Sequence, residues 1–251
     1  MGRRLHYENT YSMNKFLLAC ALAALSALNL RATESALEEL GDAVTPLAAA
    51  ALRLPAAGEP VRYGPDQEKA GIPGKYAYLD PQRLVPENLL AAALEYYDAN
   101  FARIGNTAYL SVADFSKFSG HPRFFIIDMK AGSVKAMRVA HGEGSDPGDT
   151  GYATIFSNTP ESKQTSLGFY STSDLYSGAY GHSMRLNGLS PTNSNARSRN
   201  IVVHGYGPVA ETGARIGLSQ GCLAVSPALI EEVLAALKGG SIIYAGLSAA
   251  D

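Results

Sequence analysis

Short apolar runs bounded by clusters of Gly, Asn, Ser or Pro recur through the second half of the chain. Each run has the length of a strand and is rich in β-branched or aromatic residues. The predicted strands cover residues 123–129, 134–139, 153–156, 167–170, 184–189, 200–204 and 241–247. Many short strands with frequent turns are typical of a β-sandwich or an open barrel. The sequence therefore predicts a mainly β domain over residues 107–251.

Helical signals flank the predicted strands. After Pro86, apolar side chains recur at helical spacing up to Phe101. A late helix is predicted from Ser226, as its N-cap, to Gly239, which stops it. We therefore expect a helical and irregular N-terminal region, residues 33–106, ahead of a β domain that carries one late helix.

The first 32 residues have the pattern of a signal peptide. Lys15 precedes an apolar run over residues 16–28, and small and polar residues follow. We expect cleavage near Ala32, with residues 1–12 as an over-long start or an extended charged segment. The mature protein is then expected in the periplasm or cell envelope.

Cys20 lies in a sequence similar to a lipid-attachment box. Too few apolar residues separate it from Lys15 for a signal of that kind, which disfavours a lipid anchor. No later segment reaches the ~20 apolar residues that a transmembrane helix needs, so a stable membrane span is also disfavoured. If the signal is removed, Cys222 is the only thiol left, and an unpaired thiol in an oxidising compartment favours a reactive role.

Composition bounds the classes of partner. The chain has 251 residues, of which 46% are hydrophobic and 18% charged, enough apolar content for a substantial core. Its formal net charge is −2, and no basic block or alternation of basic with aromatic residues occurs. Nucleic-acid binding is therefore disfavoured.

A cysteine nucleophile is indicated by Cys222, which follows Ser219, Gln220 and Gly221 on a glycine turn. His204 ends a predicted strand, and a glycine-rich loop between the two allows the chain to return the thiol beside the imidazole. An adjacent base would activate the thiol, which is only slightly ionised at neutral pH. The backbone amides of residues 220–222 are candidate donors to an oxyanion.

These residues resemble the signature of the L,D-transpeptidases with a YkuD-type catalytic domain, a His-Gly followed by Ser-x-Gly-Cys. His204 with Gly205, and Ser219 with Gly221 and Cys222, match it. Similarity to the murein L,D-transpeptidase branch extends through residues 126–128, 139–142, 156–158, 166–170 and 195–197. The resemblance covers roughly residues 108–245, and ordered motifs are more specific than one short pattern.

The resemblance implies a mostly β sandwich and a two-step acyl transfer on peptidoglycan stem peptides, without metal or organic cofactor. Cys222 would attack the carbonyl of the third residue of a tetrapeptide stem and expel the terminal D-alanine. The thioester would then pass to the amine of another stem, giving a 3-3 cross-link, with His204 as the base for both steps.

The chain departs from the wider family at two positions. Gln220 stands where many members carry histidine, and Ala224 where many carry arginine or asparagine. We therefore expect another cation to bind a stem carboxylate, because arginine binds carboxylates bidentately. The candidates are Arg185, Arg197, Arg199 and Arg215.

His141 and His182 allow two interpretations. Together with His204 and Cys222 they would form a zinc site of three nitrogens and one sulfur. No short ligand spacing supports that site, so we expect no metal. His141 and His182 are instead candidates for the substrate pocket or for structural roles.

Two other functions stay open at this point. The thioester can also pass to water, which would make the protein an L,D-carboxypeptidase or another hydrolase of the cell wall. A third alternative is a non-catalytic wall-binding module, which the retained pair of His204 and Cys222 disfavours.

Overall fold

The computed structural model describes residues 74–249. These residues form two α-helices, α1 (Glu87–Asn100) and α2 (Ile230–Leu237), and eight strands. The strands are β1 (Tyr109–Asp114), β2 (Phe124–Asp128), β3 (Val134–Met137), β4 (Gly168–Gly178), β5 (Gly181–Gly188), β6 (Val202–Gly205), β7 (Leu223–Val225) and β8 (Ile242–Gly246).

The eight strands form one sheet in the order β3-β2-β1-β8-β4-β5-β6-β7. β1 with β8 and β6 with β7 are parallel pairs, and the other neighbours are antiparallel. Beyond β3, the amide of Ala140 donates to the carbonyl of Ala224 in β7 at 2.8 Å. Gly142 forms a bridge with Ser219 just before β7. The two edges therefore meet in a nearly closed barrel, which confirms the predicted mainly β fold.

Apolar side chains fill both faces of the central strands. On β2, Phe124 and Ile126 belong to the core inside the barrel, whereas Phe125 and Ile127 belong to the core beneath α1. A strand that is covered on both faces has a continuous apolar sequence. That double covering explains why the run over residues 124–127 shows no polar alternation.

Helix α1 follows Pro86 as predicted and packs on the outer face of the sheet. Its buried face consists of Leu89, Leu90, Ala91, Ala93, Leu94 and Tyr97. These side chains contact Leu110 and Val112 of β1 and Ile242 of β8 within the same core. The helix therefore supports the two central strands of the sheet from the side opposite the barrel interior.

Two local predictions were wrong, and two strands were missed. Residues 153–156 form no strand, because the amides of Thr154 and Ile155 both donate to the Ser145 carbonyl, at 2.8 and 3.3 Å. Helix α2 begins at Ile230 rather than Ser226. The hydroxyl and carbonyl of Ser226 accept hydrogen bonds from the amides of Ala228 and Leu229, which form a turn ahead of the helix. Strands β1 and β7 were missed, since β1 contains polar residues and β7 has only three residues.

Several predictions lie outside the described residues. They are the signal peptide over residues 1–32, the start over 1–12, the Cys20 box and the irregular N-terminal segment before residue 74. The boundary between residues 106 and 107 stays a prediction. Within residues 74–249, no helix has both the length and the hydropathy that crossing a bilayer requires.

Replacing Leu94 with alanine should lower the free energy of unfolding by about 3 kcal/mol, because the fully buried leucine would leave a cavity between α1 and the sheet. Chemical denaturation of the full chain measures the change. The matched control is Glu95→Ala on the exposed face of the same helix, which should alter stability by less than about 0.5 kcal/mol. Equal effects of the two variants would contradict the packing described for α1.

Candidate active site

The parallel register of β6 and β7 brings the predicted nucleophile and base to one face of the sheet. Val203 pairs with Leu223, and His204 pairs with Ala224. Because side chains alternate along a strand, Val203 and Leu223 point into the barrel core, and His204 points to the opposite face. Cys222 precedes Leu223 and therefore shares the face of His204, one pleat away on the adjacent strand.

The turn before Cys222 is held by the Ser219 side chain. Its hydroxyl donates to the Cys222 carbonyl at 2.8 Å and accepts the Gly221 amide at 3.1 Å. Gly221 has a φ of 110°, and a Cβ there would lie 2.8 Å from the backbone oxygen of Gln164. Only glycine fits this conformation and this space. Since the Gly221 amide is occupied, the predicted oxyanion donors reduce to the amides of Gln220 and Cys222.

A second strand-like segment supports the same turn from behind. The amide of Ser219 donates to the His141 carbonyl at 2.8 Å, and the amide of Glu143 donates to the Ser219 carbonyl at 2.8 Å. Gly142 lies between them, and a Cβ at this position would contact the Gly221 nitrogen at 2.9 Å. The segment that contains Gly142 therefore fixes the position of the turn that carries Cys222.

The His204 ring is held in one tautomer. Its Nδ1 lies 2.9 Å from the carbonyl oxygen of Gly205, which can only accept, so Nδ1 donates. The lone pair of the neutral ring is therefore on Nε2. Burial lowers the pKa of His204, although the hydrogen bond to Gly205 opposes the shift. At neutral pH the ring is uncharged and able to accept a proton.

The Cys222 thiol is half-buried and protonated at rest. Its Sγ donates to the carbonyl oxygen of Asn200 at 3.5 Å. Asn200 has a φ of 55°, in the left-handed region that asparagine tolerates better than most residues. Burial raises the pKa of Cys222, while a hydrogen bond from the Val202 backbone and the charge of Arg199 oppose the shift. The resting pair is thus thiol and neutral imidazole rather than an ion pair.

Of the four candidate arginines, Arg199 lies near Cys222. A Cβ on Gly221 would be 3.4 Å from its Nη2. Its terminal nitrogens donate to the carbonyls of Ser157 and Gln164, at 2.8 and 2.6 Å, and to the hydroxyls of Ser166 and Ser162, at 3.4 and 3.3 Å. All four acceptors are uncharged, so these hydrogen bonds leave the guanidinium charge available to Cys222, while Glu161 also acts on it electrostatically.

The other candidate cations lie in different surroundings. Arg197 pairs with Asp174 at 2.8 Å, and both side chains are exposed. Arg215 pairs with Asp149 at 2.6 Å on the surface. The guanidinium of Arg185 lies over the Tyr176 ring, 4.3 Å from its centroid. His182 pairs with Glu231 of α2 at 3.1 Å and is exposed.

His141 is fully buried in a separate polar cluster. Its Nδ1 accepts from Nη2 of Arg123 at 2.7 Å, and its Nε2 lies 3.5 Å from Oδ2 of Asp146. Burial and the Arg123 charge lower the pKa of His141 to about 4. The described part of the chain contains no group of three His, Cys, Asp or Glu side chains arranged to hold a metal ion.

The family assignment follows from the comparison with known proteins. The family described as the L,D-transpeptidase catalytic domain matches residues 82–245, about two thirds of the chain. The chain belongs to the L,D-transpeptidase catalytic domain family.

The chain is also similar to several solved structures, among them an L,D-transpeptidase from Mycobacterium smegmatis, 15% identical, with 55% of this chain and 58% of that chain covered and a TM-score of 0.34. An L,D-transpeptidase from Mycobacterium tuberculosis is 18% identical, with 55% and 57% covered and a TM-score of 0.35. The helical cell shape determining protein Pgp2 from Campylobacter jejuni is 10% identical, with 62% and 56% covered and a TM-score of 0.36. The matched part thus spans less than two thirds of each of these chains. No curated protein matches the sequence.

Sequence reasoning missed Tyr180, Tyr206 and Asn200. Tyr180 stacks on the His204 ring, and Tyr206 approaches it edge-on. Neither belongs to the signature of the transpeptidase family. Asn200 was assigned to a strand, although an asparagine just before the apolar run of β6 is a signal for a left-handed residue.

Replacing Arg199 with glutamine should raise the pKa of Cys222 further, because the positive charge that opposes the effect of burial is lost. Arg199→Lys keeps the charge and should retain most of the wild-type value. Ultraviolet absorbance of the thiolate, titrated in a Cys20→Ala chain with a single thiol, measures the change. Arg197→Gln, which breaks the exposed pair with Asp174, is the matched control and should leave the titration unchanged.

Proposed function

We propose that this protein is a cysteine acyltransferase that cross-links peptidoglycan, with Cys222 as nucleophile and His204 as general base. The observation that carries the proposal is their common face on adjacent parallel strands, with Nε2 of His204 free because Nδ1 is bound to Gly205. Family membership supports the substrate class, the peptidoglycan stem peptides. The substrate implies a site of action in the periplasm or cell envelope, as the sequence also predicts.

In the first step, Nε2 of His204 removes the thiol proton as Sγ attacks the carbonyl carbon of the third residue of a tetrapeptide stem. A carbon–sulfur bond forms, and the developing oxyanion is stabilised by backbone amides near residue 222. The carbon–nitrogen bond to the terminal D-alanine then breaks. The imidazolium returns its proton to the leaving amine, so that the thioester and neutral His204 remain.

In the second step, the side-chain amine of another stem attacks the thioester carbon. His204 accepts a proton from this amine and returns it to the departing sulfur, which regenerates the thiol. An amide bond forms between the third residues of the two stems, which is a 3-3 cross-link. Each step needs the imidazole neutral at its start, and the lowered pKa of His204 favours that state.

The runner-up function is hydrolysis of the same thioester by water. It shares the first step and every residue of that step. The two functions are separated by the acceptor alone, so they predict different products from one donor stem.

Replacing Cys222 with alanine should abolish the covalent adduct with a tetrapeptide stem or a carbapenem, because no thioester can form. Intact-mass spectrometry of the full chain detects the adduct, and circular dichroism checks that the fold is retained. Cys20→Ala removes the other thiol of the chain and should leave the adduct at the wild-type level. An adduct that persists in Cys222→Ala would refute the proposed nucleophile.

Mass analysis of wall fragments incubated with the wild-type protein should show joined 3-3 dimers. Tripeptide stems without dimers would instead assign the protein as a carboxypeptidase. If neither product forms and no adduct appears, the wall-binding alternative is favoured.

Replacing His204 with alanine should slow alkylation of Cys222 near neutral pH by about a hundredfold. Between the lowered pKa of His204 and the raised pKa of Cys222, both groups are neutral, so base-assisted alkylation should not depend on pH. Without the imidazole, the alkylation rate should follow the fraction of thiolate and fall about tenfold for each unit by which the pH is lowered. Iodoacetamide labelling of the Cys20→Ala chain measures both profiles.

The matched control is His182→Ala, which removes the exposed histidine that pairs with Glu231 on the neighbouring strand and helix. Its profile should equal that of the wild type. Equal profiles for wild type and His204→Ala would show that the imidazole is not the activating base.

A further inference from the structure

The tip of the β4–β5 hairpin carries an aromatic residue to the candidate base. Gly178 pairs with Gly181, so the turn consists of Ala179 and Tyr180. β5 also pairs with β6, with Ser183 opposite His204. The Tyr180 ring turns back across this pair and stacks on the imidazole, with the ring centroids 4.2 Å apart and the planes at 29°.

Tyr180 covers a ring that is otherwise close to solvent. The side chain of Tyr180 is 54% exposed, which is unusual for a large aromatic residue, whereas His204 beneath it is only 3% exposed. Tyr206 closes another side, with its centroid 6.1 Å from both rings. An exposed tyrosine at a hairpin tip contributes little to the core, so its packing on the imidazole needs another explanation.

We propose that Tyr180 is a positioning residue for His204, whose ring it holds in plane and shields from water so that Nε2 stays directed to the reacting groups. The plane of the imidazole has two restraints in this arrangement. The hydrogen bond from Nδ1 to Gly205 fixes the edge of the ring, and the stack with Tyr180 fixes its face. With only the first restraint, the ring can tilt about the Nδ1–oxygen axis.

Shielding by Tyr180 also affects the protonation state of the His204 imidazole. Burial is the main cause of the lowered pKa of His204. The titratable groups around the ring are Tyr180 from the hairpin, Tyr206 after β6 and Cys222 before β7. The charged groups on the next elements are the exposed pair of His182 with Glu231 on β5 and α2, Arg185 of β5, which pairs with Val202, and Arg199 beyond Cys222. Removing Tyr180 alters none of these charges, so a change in the pKa would report the loss of shielding.

This inference rests on the proposed function, because positioning matters only if His204 acts as a base. The test therefore uses the alkylation profile together with a direct titration of the His204 ring by NMR. Both are recorded on the full Cys20→Ala chain, and the His204→Ala variant assigns the ring resonance and sets the unassisted rate.

Tyr180→Ala should raise the pKa of His204 toward its ordinary value of about 6.5, and the acidic edge of the pH-independent alkylation region should rise with it. The alkylation rate within that region should fall at least about threefold, because the tilted ring meets the thiol less often. Tyr180→Phe keeps the stacked ring and should restore both wild-type values. Tyr152→Ala removes a tyrosine of similar exposure, 48%, on another loop and should change neither value.

The outcomes separate the two proposals. If Tyr180→Ala leaves the titration and the rate at wild-type values while His204→Ala slows alkylation, the positioning role is overturned and the base survives. If Tyr180→Phe behaves like Tyr180→Ala, the hydroxyl rather than the stack is responsible, which also overturns this inference. If His204→Ala alkylates at the wild-type rate, the proposed function itself fails.

Discussion

The candidate site depends on one structural constraint, the parallel register in which Val203 lies opposite Leu223. These two side chains are anchored in the barrel core, so their neighbours His204 and Cys222 must point together to the opposite face. A shift of one residue in either strand would turn one of the two groups into the core. The register is in turn secured by burial, because Val203 and Leu223 are fully buried and a shift would expose them while burying an imidazole or a thiol. Packing of two aliphatic residues thus determines the chemistry of two polar ones.

The electrostatics of the site favour a neutral resting pair. Burial raises the pKa of Cys222 and lowers that of His204, and both shifts oppose formation of a thiolate and an imidazolium. In the proposed mechanism, such a pair has no charge separation to maintain before substrate arrives, and the proton moves only when the thiol attacks. Arg199 adds a positive charge that favours the thiolate when it forms, and the acceptors of its hydrogen bonds are uncharged.

The sequence predicted the mainly β class, the helix after Pro86 and the pair of Cys222 with His204, because each has a local signal. Apolar periodicity marks the helix, and the glycine before the cysteine marks the turn that only glycine can adopt. The interactions that complete the site are not local. Arg199 could be placed among four candidates but not chosen, since its partners lie 33 to 42 positions earlier in the chain. Tyr180 had no signal in the sequence, because a tyrosine in a two-residue turn contacts His204 only when the β4–β5 hairpin folds over β6.

Exclusion of water links the cover over the base to the choice between transfer and hydrolysis. In the proposed mechanism, a thioester at Cys222 reacts with whichever nucleophile His204 can deprotonate, and water is far more abundant than any stem amine. A buried imidazole beneath Tyr180 presents only an edge, so a water molecule there gains few hydrogen bonds. A stem amine arrives attached to a peptide that makes contacts of its own, and binding energy from those contacts can offset the narrow approach. In the proposed mechanism, shielding of the base favours the bound acceptor over bulk solvent, and the Tyr180 ring that stacks on His204 contributes to that selection.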